Sequence, residues 1–212
     1  MIIAFNYRLK QLIRNPKIQL RDNIKRVSKA KLLGVFVDEN LGWVEHVEEK
    51  IIPKVLSGLR MLRELRNLLT IPQLVSVHQA LVILYFDYCS TVWGNCGTVL
   101  KSKLQKLQNR AARIITRAGY EIRSIDILSS LNWCYLETRR KRQKDTVMYK
   151  IINGIAPIHS SELFVHVNET HDHNLRYSEI NLTVPLPQTE YLKRRAPVVQ
   201  WFCLVEWFTI ND

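Results

Sequence analysis

The segment that most constrains the fold is residues 100–118, where apolar side chains recur at the period of an α-helix. At 3.6 residues per turn, these apolar residues fall on one face. They are Leu100, Leu104, Leu107, Ala111, Ile114 and Ala118. Because a helix with one apolar face must bury that face against other elements, the segment predicts a long helix within a packed helical body.

A second stripe on the same predicted helix is entirely basic. It consists of Lys103, Lys106, Arg110, Arg113 and Arg117, at spacings of three and four residues. Residues 101–117 contain six basic residues and no acidic one, whereas a face that serves only solubility usually mixes both signs. The stripe therefore favours contact with nucleic-acid phosphates, and a merely solvated helix face is the alternative.

The whole chain is basic, with a formal net charge of +12 over 212 residues, and its 47% hydrophobic content is enough to bury a core. The sequence contains neither a membrane-length apolar run nor a secretory signal pattern. Its four cysteines have neither the paired spacing of a zinc site nor the density of a disulfide scaffold. We expect an intracellular protein of the nucleus or cytoplasm, with no membrane partner.

The change of hydrophobic period along the chain predicts a mainly α fold with a small N-terminal antiparallel β element (α+β). Residues 1–42 contain short β-like runs, among them KIQL, NIKRV and KLLGVFVD, the last predicted as one strand buried on both faces around Gly34. A helical domain is predicted over residues 43–154, with a kink or a break near Ile51 to Ile52 caused by Pro53. Residues 155–212 are predicted to be irregular and partly disordered.

Two further helix starts can be located. Thr70, Pro72 and Gln73 form the pattern of a capping box with proline in the first turn. The helix that follows is predicted to bury Leu74, Val77, Leu81, Leu84 and Tyr88. Another helix is predicted from Leu136 to Asn153–Gly154.

The helix from Leu136 carries a second basic run, in which Arg139, Arg140 and Arg142 are further candidate nucleic-acid contacts. Because the run is consecutive, it wraps around the helix instead of following one face, and a solvated surface is an equal alternative.

Four aromatic residues precede the helix of residues 100–118: Tyr85, Phe86, Tyr88 and Trp93. Such side chains can stack on bases, but their helical spacing favours packing in the core.

The segment YFDYCSTVWGNCGTVLKSKLQKLQNRAARIIT, residues 85–116, resembles the region just downstream of the polymerase palm in reverse transcriptases of non-LTR, jockey-like retrotransposons. The resemblance extends through residues 31–51, KLLGVFVDENLGWVEHVEEKI, and through residues 123–157. Its last trace is residues 173–194. The chain departs from the family after Arg195, where it reads APVVQWFCLVEWFTIND.

The resemblance implies the end of the palm followed by a helical, thumb-like bundle that binds a template–primer, either RNA or an RNA–DNA hybrid. It places the catalytic aspartates and their Mg²⁺ ions in a palm upstream of Met1, and the chain has no Asp-Asp pair. We therefore expect a polymerase fragment without enzymatic activity of its own, without a cofactor and without a metal site. The alternative is a domesticated or relic helical module that binds RNA or protein without catalysis.

Overall fold

The computed structural model describes residues 27–157. Their fold is mainly helical with one two-stranded antiparallel sheet, which confirms the predicted fold class. The predicted strands before Val27, the irregular region from residue 158 onward and the divergent end after Arg195 lie outside the described residues. Within them, residues 27–89 and 96–127 form one compact unit, and residues 90–95 and 128–157 form a second.

The sheet is a hairpin of β1 (Lys29–Leu32) and β2 (Val35–Asp38), with Lys29 opposite Asp38. Leu33 and Gly34 reverse the chain with φ values of 46° and 83°, the left-handed pair that a two-residue hairpin turn requires. The prediction of one strand running through Gly34 and buried on both faces was therefore wrong. The glycine marks the turn because it adopts a positive φ without steric cost.

Two side chains from the helical body hold the hairpin turn. The Tyr88 hydroxyl donates a hydrogen bond to the Leu33 carbonyl oxygen at 2.6 Å. The Lys50 ammonium donates to the Gly34 carbonyl oxygen, also at 2.6 Å. These bonds satisfy the two turn carbonyls and fix the hairpin against the helices that follow it.

A buried histidine also contacts the hairpin. The backbone N–H of Phe36 donates to His46 Nδ1 at 3.4 Å, and the imidazole is 2% exposed. Burial, with a smaller contribution from the charge of Lys50, lowers the pKa of His46 to about 4. The imidazole is therefore neutral at pH 7.

The first helical segment has a π-helical turn at His46–Ile51 that continues into helix α1 (Ile52–Leu65). The helix type changes one residue before Pro53, where the sequence predicts a kink. Proline lacks a backbone N–H and crowds the preceding turn, and the wider π turn accommodates it. The inner face of this segment buries Val47, Ile51, Val55, Leu59 and Leu62.

The second helical segment begins at the predicted capping box, in which the Thr70 backbone N–H donates to Gln73 Oε1 at 2.9 Å. It comprises α2 (Ile71–His78), a π-helical turn (Gln79–Ile83) and α3 (Leu84–Asp87).

The inner face of the second segment differs from the prediction beyond Leu74. It buries Leu74, His78, Val82 and Phe86. Leu84 and Tyr88, which were predicted to be buried, are exposed. The extra residue of the π turn rotates the helix that follows, so a period of 3.6 residues cannot describe both halves.

Helix α5 (Thr98–Thr116) packs against α1 and α2 and buries Leu100, Leu104 and Ala111 as predicted. Leu107 and Ala118 are only half-buried. Gln108 is buried instead, and its side-chain oxygen accepts a hydrogen bond from Gln105 at 2.8 Å. The loop after α5 leads into α6 (Ser124–Ser130).

The second compact unit contains the short helix α4 (Ser90–Trp93), the end of α6 and helix α7 (Leu136–Ile152), which starts at the predicted residue. Trp93 is fully buried, in agreement with the packing interpretation. The Ser90 hydroxyl donates to Gln143, so a hydrogen bond joins the two helices. Gly154, at φ 66°, ends α7 in the left-handed conformation expected of a helix-terminating glycine.

Candidate nucleic-acid interface

The predicted basic stripe of α5 lies partly along an open cleft between α1 and α5. The cleft has a volume of about 420 Å³ and adjoins a recess of about 270 Å³, and Arg63 and Arg110 line both. Together the two are lined by six cations, which we call the basic cleft: Arg60, Arg63, Arg66, Lys106, Arg110 and Arg113. Among the residues that the structure describes, no acidic side chain lines it.

Lys106 and Arg110 are predicted site residues that line the cleft and are accessible to solvent. Both are solvent-exposed, and together with Arg60 and Arg63 they make no ion pair within residues 27–157. Their charges are not neutralised by any neighbouring carboxylate there. Positive charges that are clustered in a cleft attract a polyanion more strongly than the same charges spread over a convex surface.

The α1 side of the cleft was not predicted as part of the site. Arg60, Arg63 and Arg66 recur every three residues and extend from α1 into the turn that ends it. This three-residue spacing, next to the buried residues Leu59 and Leu62, is the sequence pattern that could have identified them as one face of a helix. The intervening Glu64 makes the local composition less basic than that of α5, so a count of charges does not single out this face.

Arg113 lines the cleft and also stabilises the loop that follows α5. Its guanidinium donates to the Gly119 carbonyl oxygen, to that of Ile122 at 2.7 Å and to the Ser124 hydroxyl at 3.3 Å. The same guanidinium lies over the Tyr120 ring, 5.5 Å from its centroid. Arg113 therefore fixes the loop that forms one edge of the cleft.

Arg117 is also occupied by backbone groups. It ends α5 in the left-handed conformation, at φ 60°. Its guanidinium donates to the carbonyl oxygens of Arg66 at 2.7 Å and Leu69 at 3.3 Å. These carbonyls belong to the turn after α1, where helix geometry leaves acceptors without intrahelical donors. Arg117 thus ties the end of α5 to the end of α1.

Lys103 forms an ion pair with Glu48 of the first helical segment and does not line the cleft. The carboxylate offsets its charge, so Lys103 offers less to a phosphate than Lys106 does. Of the five residues of the predicted stripe, three line the cleft, one ties helix ends together and one is paired with an acid.

The three predicted contacts on α7 belong to the second compact unit and face different surroundings. Arg140 is 4% exposed, and its guanidinium lies 4.7 Å from the centroid of the Trp93 ring. Arg139 is half-buried, and only Arg142 is exposed. The consecutive run therefore contributes one of its three candidates to the solvent-facing surface of that unit.

Within residues 27–157, no helix is both long enough and apolar enough to cross a bilayer. In the same residues, no three His, Cys, Asp or Glu side chains come together as metal ligands would. His159, His166, His171 and His173 lie outside the described residues.

Comparison of the chain with protein-family models, with curated proteins and with solved structures returns no match.

Proposed function

We propose that this chain binds nucleic acid by placing backbone phosphates in the basic cleft between α1 and α5. The observation that carries the proposal is the convergence of six cations from two helical segments on one cleft without an acidic residue in its described lining. The six cations repel one another, which costs free energy, and binding of a polyanion offsets that repulsion.

The chemistry of the cleft favours binding that is independent of base sequence. Guanidinium and ammonium groups pair with phosphate oxygens, and each neutralised phosphate releases condensed counterions. Affinity should therefore fall steeply as salt concentration rises.

The sequence resemblance connects the same cleft to an RNA-directed DNA polymerase. In that interpretation, α1 and α5 form a thumb-like grip on RNA or an RNA–DNA hybrid. The proposal assigns binding to the chain, and no catalytic step.

The direct test is binding of the purified chain to a fluorescent RNA–DNA hybrid over a series of salt concentrations. Lys106→Ala with Arg110→Ala should lower affinity at every salt concentration and reduce the slope of log affinity against log salt by roughly 1.5, since each lost phosphate contact contributes about 0.7–0.9.

Lys31 and Lys54 provide a matched control, because they are two exposed cations of the same compact unit that do not line the cleft. Lys31→Ala with Lys54→Ala should leave the affinity and the salt slope within experimental error of the wild type. Absence of binding by the folded wild type would reject the proposal and favour a relic helical module. Equal losses in the cleft and control variants would show diffuse electrostatic attraction instead of a site.

A further inference from the structure

The loop at the edge of the basic cleft presents an aromatic ring to solvent. Tyr120 is 92% exposed and lines the cleft together with Lys106 and Arg110. Scattered exposed apolar residues need no explanation on a protein surface. An exposed ring beside a cluster of unneutralised cations does suggest a function. Stacking surfaces and phosphate contacts occur together in proteins that bind unpaired nucleotides.

The loop around Tyr120 is fixed before any ligand arrives. Arg113 donates to carbonyl oxygens on both sides of the tyrosine, those of Gly119 and Ile122. Its guanidinium lies over one face of the ring at 5.5 Å from the centroid. With that face supported and the side chain otherwise exposed, the opposite face of the ring is available to a ligand.

We propose that Tyr120 stacks on an unpaired base of the strand whose phosphates occupy the basic cleft. The inference rests on the proposed function and adds contact with an unpaired base to the phosphate contacts of the cleft. A base inside a duplex has both faces covered by its neighbours, so only an unpaired base offers a face without the cost of unstacking. RNA and DNA single strands share this chemistry.

The test compares a single-stranded RNA, a single-stranded DNA and a long blunt-ended RNA–DNA hybrid of matched sequence. Each is titrated with the wild-type chain and with Tyr120→Ala, Tyr120→Phe and Lys106→Ala with Arg110→Ala. Tyr149→Ala serves as the control for loss of an exposed tyrosine, because Tyr149 is 63% exposed in the second compact unit. A fluorescent adenine analogue in the single strands, whose emission is quenched by stacking, reports the contact directly.

The proposal expects Tyr120→Ala to weaken single-strand binding by roughly fivefold to a hundredfold, the range typical for one stacked base, and to abolish the quenching. Hybrid binding should change by less than about twofold. Tyr120→Phe should keep both affinity and quenching, since the ring is retained, and Tyr149→Ala should behave as wild type. The tighter of the two single strands identifies which sugar the cleft prefers.

Other outcomes separate this inference from the proposed function. If Tyr120→Ala leaves single-strand affinity unchanged while the Lys106 and Arg110 replacements reduce it, stacking is rejected and the phosphate cleft remains. If Tyr120→Ala weakens all three ligands equally, specific recognition of an unpaired base is rejected. If the wild type binds none of them, or the cleft replacements have no effect, the proposed function and this inference both fail.

Discussion

The two compact units each contain a strongly basic helix, and they use their cations differently. On α5, the cations are three or four residues apart, and those that line the cleft face three arginines that belong to α1 and its final turn. On α7, four basic residues are consecutive, at positions 139–142, and Arg140 of this run is buried, as is the nearby Lys144. The spacing of basic residues, more than their number, therefore decides whether they form a surface for a ligand.

Reversing the charge of exposed basic residues should separate α5 from α7 more strongly than any other change. Lys106→Glu with Arg110→Glu changes the charge of the cleft by four and should weaken binding to an RNA–DNA hybrid roughly a thousandfold, at about 1 kcal/mol per charge. Arg142→Glu with Lys150→Glu makes the same charge change at exposed positions of α7. It should weaken binding by less than about threefold. Titration at one salt concentration measures both, and equal losses would contradict the distinction between the helices.

Acidification should distinguish the two units by their stability. The pKa of His46 falls to about 4 in the folded chain, from its ordinary value of 6.5, because the imidazole is buried. Between pH 6.5 and 4 the unfolded state therefore binds more protons, and the first unit should lose up to about 3 kcal/mol of stability as the pH falls.

The second unit contains a group that responds in the opposite direction. Burial raises the pKa of Asp145, so its contribution is greatest at low pH and is lost as the pH rises through that value. Hydrogen exchange at pH 7 and at pH 4.5 measures how often each segment opens. Lowering the pH should increase the opening of residues 27–89 more than the opening of residues 136–152. In His46→Gln the acid-dependent loss should be strongly reduced; an unchanged loss would show that another group causes it.

The buried arginine of α7 should matter for stability and little for binding. Arg140→Ala removes a guanidinium from the face of Trp93 and the packing of its aliphatic stem, and it should cost about 2 kcal/mol. Arg110→Ala, at an exposed position, should cost less than about 0.5 kcal/mol. Chemical denaturation of both variants measures the difference. If Arg140→Ala is as stable as wild type yet weakens binding, the assignment of the two arginines is reversed.

Removing the ion pair that lies outside the cleft should change the affinity for the hybrid only slightly. Glu48→Gln removes the partner of Lys103 and makes its charge available, so hybrid affinity should rise by roughly twofold. Lys103→Ala should change affinity by less than about twofold. Glu49→Gln is the control, because it removes an exposed carboxylate of the same helical segment that has no ion pair with Lys103. The same rise in both glutamine variants would mean that only net charge matters.

Local chemistry was predictable from the sequence wherever one residue type dictates the geometry. Thr70 and Gln73 specify their helix start, Pro53 locates a change of helix type, and Gly154 ends α7. Half of the six cleft cations could be predicted in the same way, since the positions of Lys106, Arg110 and Arg113 follow from the period of α5.

The remaining features depend on contacts between segments distant in sequence. The carbonyl partners of Arg117 lie about fifty residues earlier in the chain, and the arginines of α1 join the cleft only because α1 and α5 pack together. The burial of Phe86 in place of Leu84 follows from a π turn, which no hydrophobic period encodes. Leu33 shows the same limit, because leucine gives no signal for a positive φ.

The π turn at Gln79–Ile83 makes this helix tolerant of the loss of a single codon. The turn holds one residue more than an α-helical turn, so deleting one residue there would give an uninterrupted α-helix whose later residues keep their faces. Phe86 would stay in the core, and Tyr88 would still face Leu33, whose carbonyl its hydroxyl engages at 2.6 Å. The attachment of the hairpin, more than fifty residues upstream, thus depends on the direction in which Tyr88 leaves the helix and survives a one-residue change in the length of that turn.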